Sequence, residues 1–522
     1  MSQILPSYLA DAWTTGGGAG SPVLDAVTGQ LVTRVSTDGL DLAGAVRHGR
    51  EVGGPALRAL GFQERAGTLK ALALALSERK QELYDLSARA GSIRADCKVD
   101  VDGGFGTAIV YAGLGRKGLP DGNVVVEDEP IQMGKAGTFF GQHVLTPRRG
   151  VAVQINAFNF PVWGMMEKLA PALIAGVPSI VKPASQTAFI TEHAVRIMLE
   201  ADVLPEGALQ LVSGPVPGLF DALGGQDLVG FTGSASTATR LRADRAVTER
   251  SVRFTAEADS LNSSVLGPDA EPGTPEFDLY VDQLVTEMTT KAGQKCTAIR
   301  RAFVPEGQLQ AVTDAVTDRL GKVVVGAPGA EGVTMGALVG LDQRDDVRAG
   351  VDRLRKEAEL VFGDPDRVDV VGADDERGAF LSPLLLRAER SARAPHEVEA
   401  FGPVSTLLPY RDAGELIDLV ARGEGSLAAS VVSNDHAFVR QAVLGIAAHH
   451  GRVLVLDRDD AAESTGHGIP MPQLVHGGPG RAGGGEEEGG LRAVRHHLQR
   501  TAVQGGPGLA GLLTAGDAGE PT

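Results

Sequence analysis

Between Val151 and Thr255, five short apolar runs alternate with stretches of helical spacing: VAVQI (151–155), SIVK (179–182), LQLV (209–212), LVGF (228–231) and VRFT (252–255). Short, nearly unbroken apolar runs suit strands buried on both faces, and intervening helices make such strands run parallel. The fold class is therefore α/β, with a doubly wound, Rossmann-like sheet. Ligands bind outside the carboxyl ends of strands in such sheets, where Asn159, Lys182, Gly214 and Gly233 fall.

A chain of 522 residues exceeds what one hydrophobic core serves, so two or three domains are expected. Residues from about Leu40 to Gly91, including ERAGTLKALALALSERKQELYDL, read as helices covering one sheet face. Residues 131–149 carry β-prone runs broken by Gly and Pro, the pattern of a projecting hairpin that needs a partner. Past Glu257, the apolar positions Phe277, Val281, Leu284, Val285 and Met288 predict a helix, with Thr274 as cap, Pro275 in its first turn and a stop at Gly293. Cys296 then lies in the following loop. Alternation continues to about Val455, after which HGGPGRAGGGEEEGG (476–490) forms a glycine-rich crossing.

The net charge of −17 argues against nucleic acid as a partner, which needs a basic face. Cys97 and Cys296 are the only cysteines, so neither a disulfide framework nor a CxxC metal site can be written, and no metal is expected. The N-terminus has no signal-peptide pattern and no membrane-spanning apolar window is found, which predicts a cytoplasmic protein. Cys97 reads as a small buried hydrophobe. Cys296 sits in GQKCT, among small and polar residues where a thiol is accessible, and Lys295 either favours its thiolate or points to solvent.

GQKCT, NAFNFP, VKPAS, FTGS and EAFGPV occur in the order and at the spacing of the aldehyde dehydrogenase superfamily, which the chain resembles over nearly its whole length. The resemblance implies Cys296 as nucleophile, Glu257 as general base with a pKa raised by burial, and Asn159 as oxyanion donor. It also implies a cofactor site in which Lys182 reaches the adenosine ribose and Gly233 with Ser234 places a helix N-terminus at the pyrophosphate. Glu399 would hold the nicotinamide ribose and Phe401 would pack beside it. Ser185 stands where the common KPAE pattern has a Glu that repels a 2′-phosphate, so the expected cofactor is NADP, with NAD possible. EADSLN replaces the common Glu-Leu-Gly-Gly. The implied domains are cofactor-binding (1–130 and 150–256), catalytic (257–475) and an oligomerisation flap (131–149 and 490–505, with 491–504 strand-like), followed by a disordered tail (506–522). A homodimer or pair of dimers is expected.

INAFNFP, FTAEADSLN, ESTGHG and QLVHGGPGRAGGGEE narrow the resemblance to a branch that oxidises CoA-linked semialdehydes in aerobic aromatic degradation. The first expectation is the dehydrogenase half of the bifunctional phenylacetate-degradation protein, acting on 3-oxo-5,6-dehydrosuberyl-CoA semialdehyde, with a separate hydratase opening the ring. The alternative is the stand-alone 3,4-dehydroadipyl-CoA semialdehyde dehydrogenase of benzoate degradation. A non-catalytic binding or structural module is the reading from another class.

Overall fold

The computed structural model describes residues 4–514. All five expected runs are strands, at Ala152–Ile155, Ser179–Lys182, Leu209–Leu211, Leu228–Thr232 and Arg253–Glu257. They pair in parallel, and Arg253–Glu257 lies at one end of the sheet beside Leu228–Thr232. Two N-terminal strands that the sequence reading missed, Ser7–Leu9 and Ala12–Thr14, add antiparallel at the far edge to complete a seven-stranded sheet.

A second seven-stranded sheet has Arg301–Pro305 and Ser263–Leu266 at its centre. All its pairings are parallel except that of Ala358–Phe362 with Leu384–Ala388. The link between the two sheets is the short run from Glu257 to Ser263, so the last residue of the first sheet's edge strand faces the loops of the second. This placement builds the site.

The long periodic stretch is helical but breaks at Arg79 into Phe62–Glu78 and Lys80–Arg89. The hairpin begins earlier than 131, with Val125–Gln132 pairing antiparallel to Phe140–Pro147, and Leu498–Gly505 adds as a third strand. Residues expected to be strand-like from 491 are instead a helix, Leu491–His496, whose Ala493 and Val494 are buried. In the tail expected to be disordered, Leu509–Thr514 is helical, and residues 515–522 lie outside the described residues. Among the described residues no helix is long and apolar enough to cross a membrane.

Candidate active site

The helix Pro275–Thr289 is capped as its sequence predicts, the Thr274 hydroxyl accepting the Phe277 N–H at 3.3 Å. It stops at Thr289, ahead of Gly293, because Lys291, Ala292 and Gly293 all take left-handed backbone (φ +52°, +50° and +66°). Two consecutive non-glycine residues there cost about 1–3 kcal/mol each, so the turn needs outside support. Asp96 supplies it by accepting the Lys291 N–H at 2.7 Å, and Arg300 by donating to the Gly293 and Gly402 carbonyls at 2.8 and 2.7 Å. Asn262, from the unusual EADSLN run, then pins the loop itself. Its amide donates to the Cys296 and Ala298 carbonyls at 2.8 and 2.9 Å and its oxygen accepts from Ser260 and Ala428.

Lys295 does neither of the things expected of it. It is buried and donates to both carboxylate oxygens of Glu287 at 2.7 and 2.8 Å, which satisfies its charge away from the thiol. Gly468 makes room for this pair, since a Cβ there would lie 2.1 Å from Lys295 Nζ.

The cation beside Cys296 is His476, which the sequence reading passed over. Its Nε2 lies 4.0 Å from Cys296 Sγ and 3.4 Å from Glu257 Oε2, and the three donor atoms fall within 4.8 Å of one another. The glycine-rich crossing delivers it. Gly483 (φ +112°) passes so close to the edge strand that a Cβ would sit 1.9 Å from the Ala256 carbonyl oxygen, and Ala482 accepts the Ala258 N–H at 3.0 Å. The available signal was an ionisable side chain at the head of a glycine run, which marks a close backbone approach.

Charge in this cluster is tightly linked. Burial pushes the Glu257 carboxyl up, but the His476 ring and Lys168 pull it further down, to about 2. The expected rise from burial is thus overturned by a neighbour that the sequence did not reveal. Burial and the Glu257 charge push the Cys296 thiol up to about 12. Burial opposes the charged form of His476, yet Glu257 holds the ring well above its ordinary value. The resting cluster is a thiol, an imidazolium and a carboxylate.

Asn159 is buried and lines the same small cavity as Cys296, Glu257, His476 and Trp163. Phe401 meets the ring of Phe158, next to Asn159 in the chain, edge-on at 5.9 Å and lies under the Arg300 guanidinium at 5.4 Å. Glu399 is 3.9 Å from Arg300, and burial pushes its carboxyl up to about 7. Lys182, Ser185 and Ser234 lie at strand ends outside the Cys296 cavity. Lys182 ends its strand half-buried, Ser185 opens the turn Ser185–Thr187, and Ser234 caps Ala235–Arg242. Gly233 ties the two regions together, its N–H donating to the Glu257 carbonyl at 3.1 Å.

Two further groups at these strand ends escaped the sequence reading. Asp259 accepts the Ala235 N–H at 3.0 Å, so a carboxylate already meets the helix N-terminus expected to face a pyrophosphate. Asn156 is buried beside Lys182, whose carbonyl accepts its N–H at 2.9 Å. Its side-chain amide has no partner among the described residues. An unpaired buried amide costs about 1–3 kcal/mol, a cost that a polar ligand bound at the strand ends would offset.

A family model described as the aldehyde dehydrogenase family matches residues 13–503. The chain belongs to the aldehyde dehydrogenase family. This NAD(P)-dependent aldehyde dehydrogenase is 48% identical to 3,4-dehydroadipyl-CoA semialdehyde dehydrogenase of Aromatoleum evansii, over 91% of its own length and 93% of the relative's. It is 50% identical to Protein MaoC of Klebsiella aerogenes over 182 residues, which span 34% of this chain and 52% of that protein. Among solved structures, betaine aldehyde dehydrogenase from Staphylococcus aureus in complex with NAD+ superposes with a TM-score of 0.82 at 22% identity, covering 96% of this chain and 95% of that one. That last likeness concerns the fold.

Proposed function

We propose that this aldehyde dehydrogenase oxidises 3,4-dehydroadipyl-CoA semialdehyde to the corresponding acid. The observation that carries the reading is the 48% identity spanning nearly the full length of both chains, whereas the similarity to Protein MaoC spans about a third of this one. This reverses the order of the two substrates weighed from sequence motifs. Steady-state assay of both CoA-semialdehydes, each with NADP and with NAD, tests it. A kcat/KM higher for 3-oxo-5,6-dehydrosuberyl-CoA semialdehyde would reject the assignment.

In the proposed mechanism the free base within reach of the Cys296 thiol is the Glu257 carboxylate, because His476 already carries a proton. Transfer of the thiol proton to Glu257 moves the negative charge to sulfur while the imidazolium faces both atoms throughout. One cation contacting either anion makes that transfer less costly than it is in an apolar cavity without one. The thiolate adds to the aldehyde carbon, and the Asn159 amide stabilises the resulting oxyanion. Glu399 and Phe401 would hold the nicotinamide end of NAD(P), which would supply the hydride acceptor for that carbon so that a thioester remains on Cys296. Glu257, having returned its proton to solvent, deprotonates a water that attacks the thioester. The C–S bond breaks, the proton on Glu257 passes to the departing Cys296 sulfur, and the acid leaves with the thiol and carboxylate restored.

For the cofactor, the unpartnered Asn156 amide, half-buried Lys182 and Ser185 form polar strand ends suited to an adenosine ribose, and Glu399 with Phe401 suits the nicotinamide end. Ser185 brings no negative charge to meet a 2′-phosphate, which supports NADP as the preferred form. Among the described residues, the largely exposed strand Leu498–Gly505 leaves one edge of the three-stranded sheet unpaired, which supports assembly as a homodimer or pair of dimers.

A further inference from the structure

We infer that Cys296, His476 and Glu257 form a binding site for a zinc-class divalent cation, whose occupation blocks the nucleophile reversibly. The sequence reading expected no metal, since neither cysteine lies in a spaced ligand motif. The three ligands come instead from the post-helix loop, the glycine-rich crossing and the edge strand. A tetrahedral zinc ion with bonds of about 2.0–2.3 Å separates its ligand atoms by about 3.3–3.8 Å. Here the nitrogen–oxygen separation is 3.4 Å, the sulfur–nitrogen separation 4.0 Å, and all three atoms lie within 4.8 Å of one another, so an inward movement of the sulfur by up to about 1 Å completes the geometry.

A second observation points the same way. Neither Glu257 oxygen has a hydrogen-bond partner among the described residues, although both are buried, which leaves the carboxylate free to ligate a cation. A thiolate and a carboxylate together neutralise a divalent ion, which favours a cation in a buried cavity over one on the surface. Lys168, the other cation near Glu257, lies 3.0 Å from Glu167. Cys296 is only half-buried, which leaves a route for the ion. Binding forms S–Zn, N–Zn and O–Zn bonds and releases the thiol and imidazolium protons to solvent, with no change of oxidation state. Three protein ligands leave one position for water, the pattern of an open site.

The site concerns the nucleophile and its neighbours, so it stands or falls apart from the substrate assignment. The test uses metal-stripped full-length enzyme. Co2+ is added as an optical probe, Zn2+ is added in competition, and alkylation of Cys296 by iodoacetamide is followed by peptide mass. The expected results are a thiolate-to-cobalt absorption band at one equivalent, its loss on adding Zn2+, and protection of Cys296 that EDTA reverses. Cys97→Ser should behave as wild type. His476→Gln should bind more weakly by more than about tenfold, and Cys296→Ala should lose the band. No band in the wild type, or a band that survives in Cys296→Ala, overturns the proposal. If His476→Gln does not fold, His476→Asn and Glu257→Gln carry the same comparison, and unchanged affinity in both also overturns it.

Discussion

His476 Nε2 stands 3.4 Å from Glu257 Oε2, inside a cavity that excludes nearly all solvent from both. A buried carboxylate next to an imidazolium stays ionised, so the proposed base is ionised over the whole neutral range. The same pairing weakens it as a base, a trade that the reactivity of Cys296 should report.

With its thiol pushed up to about 12, Cys296 should be alkylated slowly at neutral pH. Between pH 7 and 9 the rate should climb about tenfold per unit, the slope of a single proton far below its pKa. The imidazolium lowers the thiol pKa, so removing it in His476→Gln should slow alkylation further, by about tenfold at pH 8. A faster rate in this variant would contradict the assigned charges.

Glu257→Gln should slow the first turnover, whose thiol proton that carboxylate accepts, and lose the later ones, whose water it activates. A burst of NADPH, followed by turnover reduced about 10²–10⁴-fold, is expected in stopped flow, while Cys296→Ala should show no burst. Dependence on added free CoA with formation of a new thioester would remove Glu257 from the hydrolytic step.

Burial sets the Glu399 carboxyl at about 7, against 4.5 for an ordinary Glu. A folded-state pKa raised in this way means that the folded protein holds the proton more tightly. The stability lost by ionising Glu399 therefore enters as pH rises from about 4.5 to about 7. Ribose hydroxyls need the carboxylate as acceptor, so cofactor affinity should be about tenfold lower at pH 6 than at pH 8. Titration calorimetry of Glu399→Gln should show weaker binding without that dependence.

Asn262→Ala should leave the Cys296 and Ala298 carbonyls and the Ala428 N–H without their buried partner. A loss of about 1–3 kcal/mol is expected in urea unfolding, together with a lower kcat from a loosened nucleophile loop. Unchanged kcat would mean that the strained turn at Lys291 and Ala292 positions Cys296 unaided.

Ser185→Glu should set a like charge against the 2′-phosphate of NADP. The ratio of kcat/KM for NADP over NAD should fall by about 1–3 kcal/mol, roughly 5–150-fold. An unchanged ratio would place Ser185 outside the adenosine pocket.

Short-range patterning was enough for the fold class, since strands from Ala152 to Glu257 declare themselves by unbroken apolar runs and the helix before Cys296 by its cap and spacing. The small and polar surroundings of Cys296 marked it as a candidate, whereas Glu257 and Asn159 were legible only through the resemblance of their motifs to the family's. Local pattern misled at 491–496, where β-prone residues are helical because Ala493 and Val494 pack inward. It also misled at Gly293, because the Asp96 contact that ends the helix early comes from far away in the chain. The protonation of the site belongs to the tertiary structure alone. Glu257 and His476 are remote in sequence, and Coulombic coupling depends on the 3.4 Å between them, which no spacing in the chain encodes. Lys295, next to Cys296 in sequence, is electrostatically occupied by Glu287, whereas His476, distant in sequence, carries the charge that the thiol feels.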